Sequence, residues 1–325
     1  MKILVTDANL VPHRDRLQAA MPPGADVRWR VGVDVEALKE DLRDADVYVG
    51  GRFPAELAGA AEKLQLIHVA GAGTDRIDFA ALAPDVLVAN TFHHERSIAE
   101  YVVAAAVMLR RNFLAQDRAL RRDVWATSVY DKAIPQSSSL QDATVGFVGF
   151  GHIGQRTWEL FRAFGSRGCA VTGSGRVDAA AHQLDWAGGG SRLDRLLRES
   201  DIVVMSAPLT AQTEGMIGAD QLRALGPDGV LINVGRGPLV AERALYDALL
   251  GGEIRAAALD VWYRYPGPDG RGAPSEFPFA ELSNVLVTPH SSGVTGDTFR
   301  GRVDDIAANI GRLDRGEPLH NVINC

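Results

Sequence analysis

The chain has few cysteines, no excess of positive charge and no long hydrophobic run. Its 325 residues include only Cys169 and Cys325, whose spacing fits neither a metal site nor a disulfide framework, so we expect two free thiols. A net charge of −7 gives no basic field that would recruit phosphates, which excludes nucleic acid as an expected partner. The apolar run Ala99–Leu109 is too short for a membrane span.

The remaining composition is that of an ordinary globular protein, with 46% hydrophobic and 23% charged residues. Met1-Lys2 runs directly into the strand-like segment Ile3–Thr6, so we expect no signal peptide. Together with the free thiols, this predicts a cytoplasmic protein with no metal and no membrane partner. A chain of 325 residues is long enough for two domains with substantial cores.

Strand-like and helix-like segments alternate along the whole chain. Helical stretches at Val35–Arg43 and Pro54–Lys63 separate short apolar, β-branched runs in the first hundred residues. The predicted strands are Ile3–Thr6, Val47–Gly50, Leu66–Val69 and Leu87–Ala89, then Ala143–Val148, Cys169–Thr172, Ile202–Ser206, Val230–Val234, Ala256–Asp260 and Val285–Thr288. Such alternation predicts an α/β fold with parallel sheets.

Two longer helices are predicted outside this repeat. An alanine- and valine-rich stretch from Ser97 to Arg111 suits a helix buried between two domains, with Ser97 as N-cap and Glu100 at the capping-box position. Val303–Arg312 forms a closing helix, and Pro318–Ile323 is predicted to be a terminal extension.

A glycine triad follows the first predicted strand of the second half of the chain. Gly149-Phe150-Gly151-His152-Ile153-Gly154 lies between that strand and a helical stretch, Gln155–Phe164. The first glycine allows a tight turn, the second lets a pyrophosphate approach the backbone, and the third lets the helix pack closely on the strand. This context predicts a dinucleotide-binding turn, although a glycine triad alone is weak evidence.

Two further residues with suitable chemistry follow predicted strands. Arg236 comes directly after the strand that ends near Val234, and His290 follows the last strand of the repeat. Because open α/β sheets bind ligands at the carboxyl ends of their strands, the forked guanidinium suits a carboxylate and the histidine suits proton transfer. Taken singly, Arg236 could also be a surface arginine and His290 a structural histidine. Together with the glycine triad, the two residues favour a catalytic site.

With these motifs, the chain resembles the D-isomer specific 2-hydroxyacid dehydrogenases over nearly its whole length. The matching segments are the substrate-carboxylate loop (His68–Asp78), the start of the interdomain helix (Ser97–Glu100), the cofactor loop (Gly146–Gly154), the segment beneath the nicotinamide ribose (Ala207–Ile217), the arginine motif (Leu231–Gly237) and the histidine motif (Thr288–His290).

The resemblance implies two doubly wound α/β domains, a Rossmann-type cofactor domain inserted into a flavodoxin-like substrate domain. Residues 1–98 and 290–325 would form the substrate domain and residues 99–289 the NAD(P)-binding domain, so that the C-terminal residues pack beside the first part. A homodimer, formed largely through cofactor domains, is also implied. The expected reaction is hydride transfer between a nicotinamide cofactor and a small 2-oxoacid or D-2-hydroxyacid, similar to a glyoxylate or hydroxypyruvate reductase.

The resemblance also implies roles for individual residues. Arg236 would bind the substrate carboxylate with the main-chain N–H groups of Ala72 and Gly73, and His290 would supply the proton to the carbonyl oxygen. The expected cofactor-binding residues are Gly149, Gly151, His152, Ile153, Gly154, Ser174, Arg176, Pro208, Thr213, Val234, Gly235, Arg236, Asp260, His290 and Gly293.

Tyr265 departs from the family pattern. Most members have a glutamate just before Pro266, and that carboxylate pairs with the catalytic histidine. Tyr265 can hold the imidazole by a phenolic hydrogen bond, but it is neutral and stabilises an imidazolium much less than a carboxylate does. The alternative is that Tyr265 only packs near Pro266. Asp260 is retained, and the family places it near the nicotinamide end of the cofactor.

The second departure concerns the cofactor ribose. NAD-preferring members end the second strand with an acid, whereas this chain has Thr172 there and no acid before Asp178. Ser174 and Arg176 add a hydroxyl and a forked cation on a glycine-flanked loop, which favours NADP(H) over NAD(H). The alternative is a solvated Arg176 and an enzyme that uses both cofactors.

Two other functions remain open from the sequence. The absent glutamate gives weight to a non-catalytic, NAD(P)-sensing binding protein on the same fold, although such a sensor needs neither Arg236 nor His290. A formate- or phosphite-type dehydrogenase would also transfer a hydride to the nicotinamide, but the hydride would come from formate or phosphite.

Overall fold

The computed structural model describes residues 1–267 and 269–323. Its contacts divide the chain into two compact units, one of Met1–His93 with the C-terminal segment that starts at Val294, the other of His94–Gly293. The predicted substrate domain, residues 1–98 and 290–325, and the predicted cofactor domain, residues 99–289, stay predictions. Cys169 is a buried free thiol, as predicted, and burial raises its pKa to about 12. Cys325 lies outside the described residues.

Strands and helices alternate through both units. The strands are β1 Lys2–Val5, β2 Asp26–Trp29, β3 Val47–Val49, β4 Leu66–His68, β5 Leu87–Ala89, β6 Thr144–Val148, β7 Arg167–Val171, β8 Trp186–Gly188, β9 Ile202–Met205, β10 Val230–Asn233, β11 Ala256–Leu259 and β12 Val285–Val287. The α-helices are α1 Arg14–Ala19, α2 Val35–Leu42, α3 Ala55–Ala58, α4 Glu95–Arg110, α5 Phe113–Leu120, α6 His152–Ala163, α7 Ala179–His182, α8 Leu193–Glu199, α9 Ala219–Leu225, α10 Glu242–Leu250 and α11 Gly296–Asp314.

The first unit is built on a five-stranded parallel sheet in the order β2-β1-β3-β4-β5. This is the flavodoxin-like order, and it confirms the predicted fold of the unit. Sequence reasoning missed β2 because this edge strand carries Asp26 and Arg28 and is only partly buried. The central strands β3 and β4 are fully buried and were predicted from their continuous apolar runs.

The second unit is built on a seven-stranded parallel sheet in the order β12-β11-β10-β9-β6-β7-β8. If β6 to β12 are numbered 1 to 7, the order read from β8 is 3-2-1-4-5-6-7. This is the Rossmann order 3-2-1-4-5-6 extended by one strand, and its switch point lies between β6 and β9. The six predicted strands are present. The seventh, β8, escaped prediction because it is a three-residue edge strand of sequence Trp-Ala-Gly.

Several predicted helix ends are wrong. The long helix α4 begins at Glu95, and Ser97 lies inside its first turn, where the Ser97 hydroxyl donates to the main-chain oxygen of His94 at 3.1 Å. Ser97 is therefore not the N-cap, and the capping box with Glu100 does not form. The helix predicted from Pro54 to Lys63 is reduced to the four residues of α3.

The helices α6 and α11 begin earlier than predicted. α6 starts directly after the second glycine of the triad, and α11 starts at Gly296, where the Thr295 side chain accepts a hydrogen bond from the N–H of Thr298. The predicted C-terminal extension pairs beside β5, since the N–H of Ile323 donates to the oxygen of Val88 at 2.7 Å. No helix in residues 1–267 and 269–323 is long and apolar enough to cross a membrane.

A buried polar network joins β4 to α11 in the first unit. His68 is fully buried at the end of β4; its Nδ1 donates to the oxygen of Val69 and its Nε2 accepts from the Asn309 amide at 2.9 Å. Asn309 also exchanges hydrogen bonds with the main chain of His320. Burial lowers the pKa of His68 to about 4, because the charged imidazolium would lose its hydration.

His68 should therefore make folding sensitive to acid. Below about pH 6.5 the unfolded chain binds a proton at this position, whereas the folded chain does so only near pH 4. The stability present above pH 6.5 is lost as the pH falls, by about 3 kcal/mol at pH 4. We expect the free energy of unfolding in urea to fall more steeply between about pH 7.5 and about pH 4 in the wild type than in His68→Gln. Equal pH dependence in the two proteins would contradict this assignment.

Candidate active site

The glycine triad forms a turn at the carboxyl end of β6. Gly149 has a φ of +92°, and a Cβ there would lie 2.6 Å from the main-chain nitrogen of Ala207. A Cβ on Gly154 would lie 2.8 Å from the oxygen of Gly149, so the helix packs closely on the turn. Around Gly151, by contrast, no described atom beyond its chain neighbours lies within 4 Å of a Cβ position, and no side chain caps α6 there. The backbone therefore fits a pyrophosphate group at the helix N-terminus.

The other expected cofactor residues lie at the same edge of the seven-stranded sheet. His152 and Ile153 open α6, Val234 follows β10, and Gly293 ends the turn after β12. Pro208 and Thr213 belong to one turn after β9, in which the Thr213 hydroxyl donates to the oxygen of Pro208 at 2.8 Å. Their positions are compatible with a nucleotide lying across the carboxyl ends of the strands.

Arg236 lies in a turn after β10, and the Asn233 side chain holds the main chain of this turn. The buried Asn233 amide donates to the oxygen of Arg236 at 2.9 Å, and its Oδ1 accepts the N–H of Gly235 at 3.1 Å. The guanidinium is partly buried, with Nη1 donating to the oxygen of Gly235 at 2.8 Å. No role was predicted for Asn233. An asparagine at a strand end before a glycine turn is a pattern that could have indicated this role, since its side chain commonly bonds to the main chain of a turn.

His290 lies in a turn after β12, with the left-handed φ of +57° that few residues other than glycine adopt. Its Nδ1 is 2.9 Å from the hydroxyl of Tyr265, and the residue is exposed. The phenol can donate to a neutral imidazole or accept from an imidazolium. The main-chain N–H of Trp262 faces the same phenol oxygen at 3.5 Å. The phenolic hydrogen bond considered from the sequence is thus present in the structure.

Asp260 holds the turn that carries His290. Its buried carboxylate accepts the main-chain N–H groups of Ser291 and Ser292 at 2.8 and 3.0 Å. The hydroxyls of Thr288 and Ser292 also donate to it, the former at 2.7 Å. The family resemblance implied a position of Asp260 near the cofactor. These contacts were not predicted, because they join segments about 30 residues apart.

The loop after β7 contains the residues predicted to select the cofactor. The Thr172 and Ser174 hydroxyls accept the N–H groups of Gly175 and Arg176 at 3.1 and 3.3 Å. Within the described chain, no hydrogen bond or ion pair occupies the exposed Arg176 guanidinium. Asp178 caps α7 by accepting the N–H of Ala181 at 3.0 Å. The first acid after the strand thus has a structural partner.

Ala72 and Gly73 belong to the other, five-stranded unit, in the loop after β4. The side chain of Asn90 donates to the oxygen of Ala72 at 2.9 Å, and the N–H of Thr91 donates to the oxygen of Gly71 at 3.2 Å. The loop that was predicted to bind a carboxylate is therefore held in place by hydrogen bonds from the two residues that follow β5.

Residues 103–292 match the family model described as D-isomer specific 2-hydroxyacid dehydrogenase, NAD binding domain. This match covers more than half of the chain. The chain belongs to the D-isomer specific 2-hydroxyacid dehydrogenase family. The family model describes an NAD-binding domain, and the seven-stranded sheet of the matched region has the Rossmann strand order.

Curated relatives carry several dehydrogenase names. A D-3-phosphoglycerate dehydrogenase of Methanocaldococcus jannaschii is 31% identical over 100% of this chain, which covers 59% of that relative. The chain thus spans little more than half the length of this relative. A glycerate dehydrogenase of Methylorubrum extorquens is 30% identical over 89% of this chain and 88% of its own length.

Among solved structures, an acyclic imino acid reductase in complex with NADPH and D-Arg is similar throughout. It is 25% identical, covers 100% of both chains and has a TM-score of 0.83. By their names, proteins similar to this chain thus act on different substrates, and one of them binds NADPH.

Proposed function

We propose that this protein is an NAD(P)-dependent oxidoreductase that reduces a small 2-oxoacid to the D-2-hydroxyacid, as a glyoxylate or hydroxypyruvate reductase does, or runs the reverse reaction. The main support is the hydrogen-bonded pair of His290 and Tyr265. It lies at the sheet edge that also carries Arg236 and the glycine turn. Membership of the family and a relative named glycerate dehydrogenase agree with this substrate class.

In this proposal Arg236 binds the substrate carboxylate by two-point contact and polarises the adjacent carbonyl. For Ala72 and Gly73, a role of their amides in substrate binding is proposed from the family resemblance alone. Asn233 keeps the Arg236 turn in place through its two main-chain contacts. The nicotinamide cofactor supplies the hydride to the carbonyl carbon when bound.

His290 supplies the proton that completes the reduction. As an imidazolium, it donates Nδ1–H to the phenol of Tyr265 and transfers the Nε2 proton to the carbonyl oxygen. The imidazole left behind keeps its Nδ1–H and its bond to the phenol. In the oxidative direction the neutral Nε2 accepts the hydroxyl proton. Tyr265 thus orients the ring in both protonation states without losing a proton itself.

The direct test is consumption of NADPH and NADH with glyoxylate, hydroxypyruvate, pyruvate and phenylpyruvate. We expect turnover with at least one of these 2-oxoacids and a D-configured product. Tight cofactor binding without turnover of any 2-oxoacid, formate or phosphite would instead favour the sensor function. Reduction of NAD+ or NADP+ by formate or phosphite, without turnover of any 2-oxoacid, would favour the alternative dehydrogenase.

We also propose a preference for NADP(H). Thr172 stands where NAD-preferring members have an acid, so the end of β7 itself presents no carboxylate to a 2′-phosphate. The carboxylate of Asp178 accepts the N–H of Ala181 at the start of α7. The backbone of the loop is fixed by the Thr172 and Ser174 hydroxyls, and the exposed Arg176 can form charge-assisted hydrogen bonds with a phosphate. The similar imino acid reductase was solved in complex with NADPH, which supports this proposal.

Replacing Arg176 should reveal this preference. We expect Arg176→Ala to lower kcat/KM for NADPH by about tenfold to a hundredfold, the effect of one or two charge-assisted hydrogen bonds, and to change kcat/KM for NADH little. Arg195→Ala is a matched control, since that arginine pairs with Glu199 on the surface. A clear preference of the wild type for NADH would contradict the proposal.

Tyr265→Glu should change the pH dependence of reduction. A carboxylate beside His290 stabilises the imidazolium, so activity that needs this acid should persist to higher pH. We expect the alkaline limb of kcat/KM for the 2-oxoacid to move upward by about one pH unit. Tyr265→Gln, which is neutral and has the size of glutamate, should not move it upward. An unchanged limb in the glutamate variant would indicate that another group already stabilises the imidazolium.

A homodimer remains a proposal based on the family resemblance. Several large apolar side chains at the end of α5 and between α5 and β6 are exposed: Leu120, Val124, Trp125, Val129 and Tyr130. An apolar surface of this kind favours contact with a second copy. Sedimentation velocity of the wild type and of Trp125→Glu would test whether this segment contributes to the dimer.

A further inference from the structure

The residues that follow β8 lie beside the loop that is proposed to select the cofactor. The main-chain N–H of Thr172, at the end of β7, donates to the oxygen of Gly188 at 3.0 Å. A Cβ on Gly175 would lie 3.2 Å from the main-chain nitrogen of Gly189, so the two loops pack glycine against glycine. Together they form one surface at the carboxyl edge of the sheet, where open α/β folds bind their ligands.

Arg192 lies across this surface because Gly188 leaves room for its side chain. A Cβ on Gly188 would lie 2.6 Å from Cδ of Arg192 and 3.3 Å from its Nε. A larger residue at position 188 would therefore push the arginine aside. Arg192 is exposed, and no hydrogen bond or ion pair of its guanidinium is present among residues 1–267 and 269–323.

We propose that Arg192 binds the 2′-phosphate of NADP(H) together with Arg176, one arginine from each loop. This inference rests on the proposed preference for NADP(H). A phosphate monoester carries a charge of about −1.5 to −2 at pH 7 and has three acceptor oxygens, so it can accept hydrogen bonds from two forked guanidinium groups at once. The chain has a net charge of −7, yet in its described part neither arginine has a carboxylate partner.

The position of Thr172 explains why the phosphate is the expected partner. NAD-preferring members have an acid there that accepts the ribose hydroxyls, so the 2′-oxygen of the ribose is expected near the end of β7. Arg192 rests on Gly188, the residue that is bonded to Thr172 across the two strands. A guanidinium can also stack on an aromatic ring, and stacking on the adenine would strengthen NADH and NADPH binding equally. The two partners therefore predict different selectivities.

The test measures the Kd of NADPH and of NADH, which differ only in the 2′-phosphate, by titration of the cofactor fluorescence. Arg192→Ala should weaken NADPH binding by about tenfold to a hundredfold, the effect of one or two charge-assisted hydrogen bonds. Its Kd for NADH should stay within about twofold of the wild-type value. Arg198→Ala is the matched control, since it removes an exposed arginine from the last turn of α8. Both Kd values of this control should stay as in the wild type.

Two further variants change the arginine site without deleting its charge. Arg192→Lys should recover part of the lost NADPH affinity, since lysine keeps the charge but not the planar fork. Gly188→Ala should weaken NADPH binding less than Arg192→Ala does, because the added Cβ displaces the side chain and retains the guanidinium. When Arg176→Ala and Arg192→Ala are combined, NADPH and NADH should bind with similar affinity.

Equal weakening of NADPH and NADH binding in Arg192→Ala would overturn the proposal and indicate stacking on the adenine. Unchanged NADPH binding in this variant would also overturn it, as would a wild type that binds NADH more tightly than NADPH. None of these measurements needs turnover. An absence of activity with every 2-oxoacid would therefore refute the proposed reaction, while the two Kd values would still decide the role of Arg192.

Discussion

His290→Ala is expected to lower kcat for 2-oxoacid reduction by about 10²–10⁴-fold, the usual effect of removing a positioned acid. Without the imidazole, the carbonyl oxygen must take its proton from water as the hydride arrives at carbon. Single-turnover oxidation of NADPH separates the chemical step from substrate binding and product release.

Chemical rescue provides the control for this result. Free imidazole in the buffer should restore part of the lost rate in His290→Ala, and it should not accelerate the wild type. Near-normal turnover in the variant would mean that another group is the acid. Because Tyr265 contacts the ring at Nδ1, Tyr265→Phe should have a smaller effect than loss of the ring itself.

Arg236→Ala should impair both turnover and substrate binding. The guanidinium is expected to make charge-assisted contacts with the substrate carboxylate in the ground state and with the polarised carbonyl in the transition state. Loss of two such contacts corresponds to about a 10²–10⁴-fold decrease in kcat/KM, shared between kcat and KM. Steady-state kinetics with one accepted 2-oxoacid measures both parameters.

Arg236→Lys is the matched variant for this prediction. Lysine keeps the positive charge but replaces the planar fork with a point charge, so we expect it to recover substrate affinity more than turnover. Near-normal kinetics of Arg236→Ala would show that the carboxylate is bound elsewhere. Asn233→Ala should lower activity in the same sense but less, since it loosens the turn without removing the cation.

Much of the fold follows from local sequence patterns. Continuous apolar runs predicted the buried central strands, and the glycine spacing predicted the turn between β6 and α6. Edge strands were missed, since β2 and β8 are short or partly exposed and lack a clear apolar run. The start of α4 was misjudged because Ser97 fits a cap by residue type, whereas the chain becomes helical two residues earlier.

The sequence by itself determined the family, the α/β fold class and the identity of the candidate reactive residues. These features depend on spacing within short segments, where neighbouring residues share a strand end or a turn. Only the tertiary structure decided how those residues are held. The bond between Tyr265 and His290 joins residues 25 apart, and that between His68 and Asn309 joins residues 241 apart. Asp260 meets Ser292 only because parallel pairing of β11 and β12 places the ends of both strands at one edge of the sheet. Hydrogen bonds depend on distance and direction in space, and these are fixed when the sheets and helices pack together.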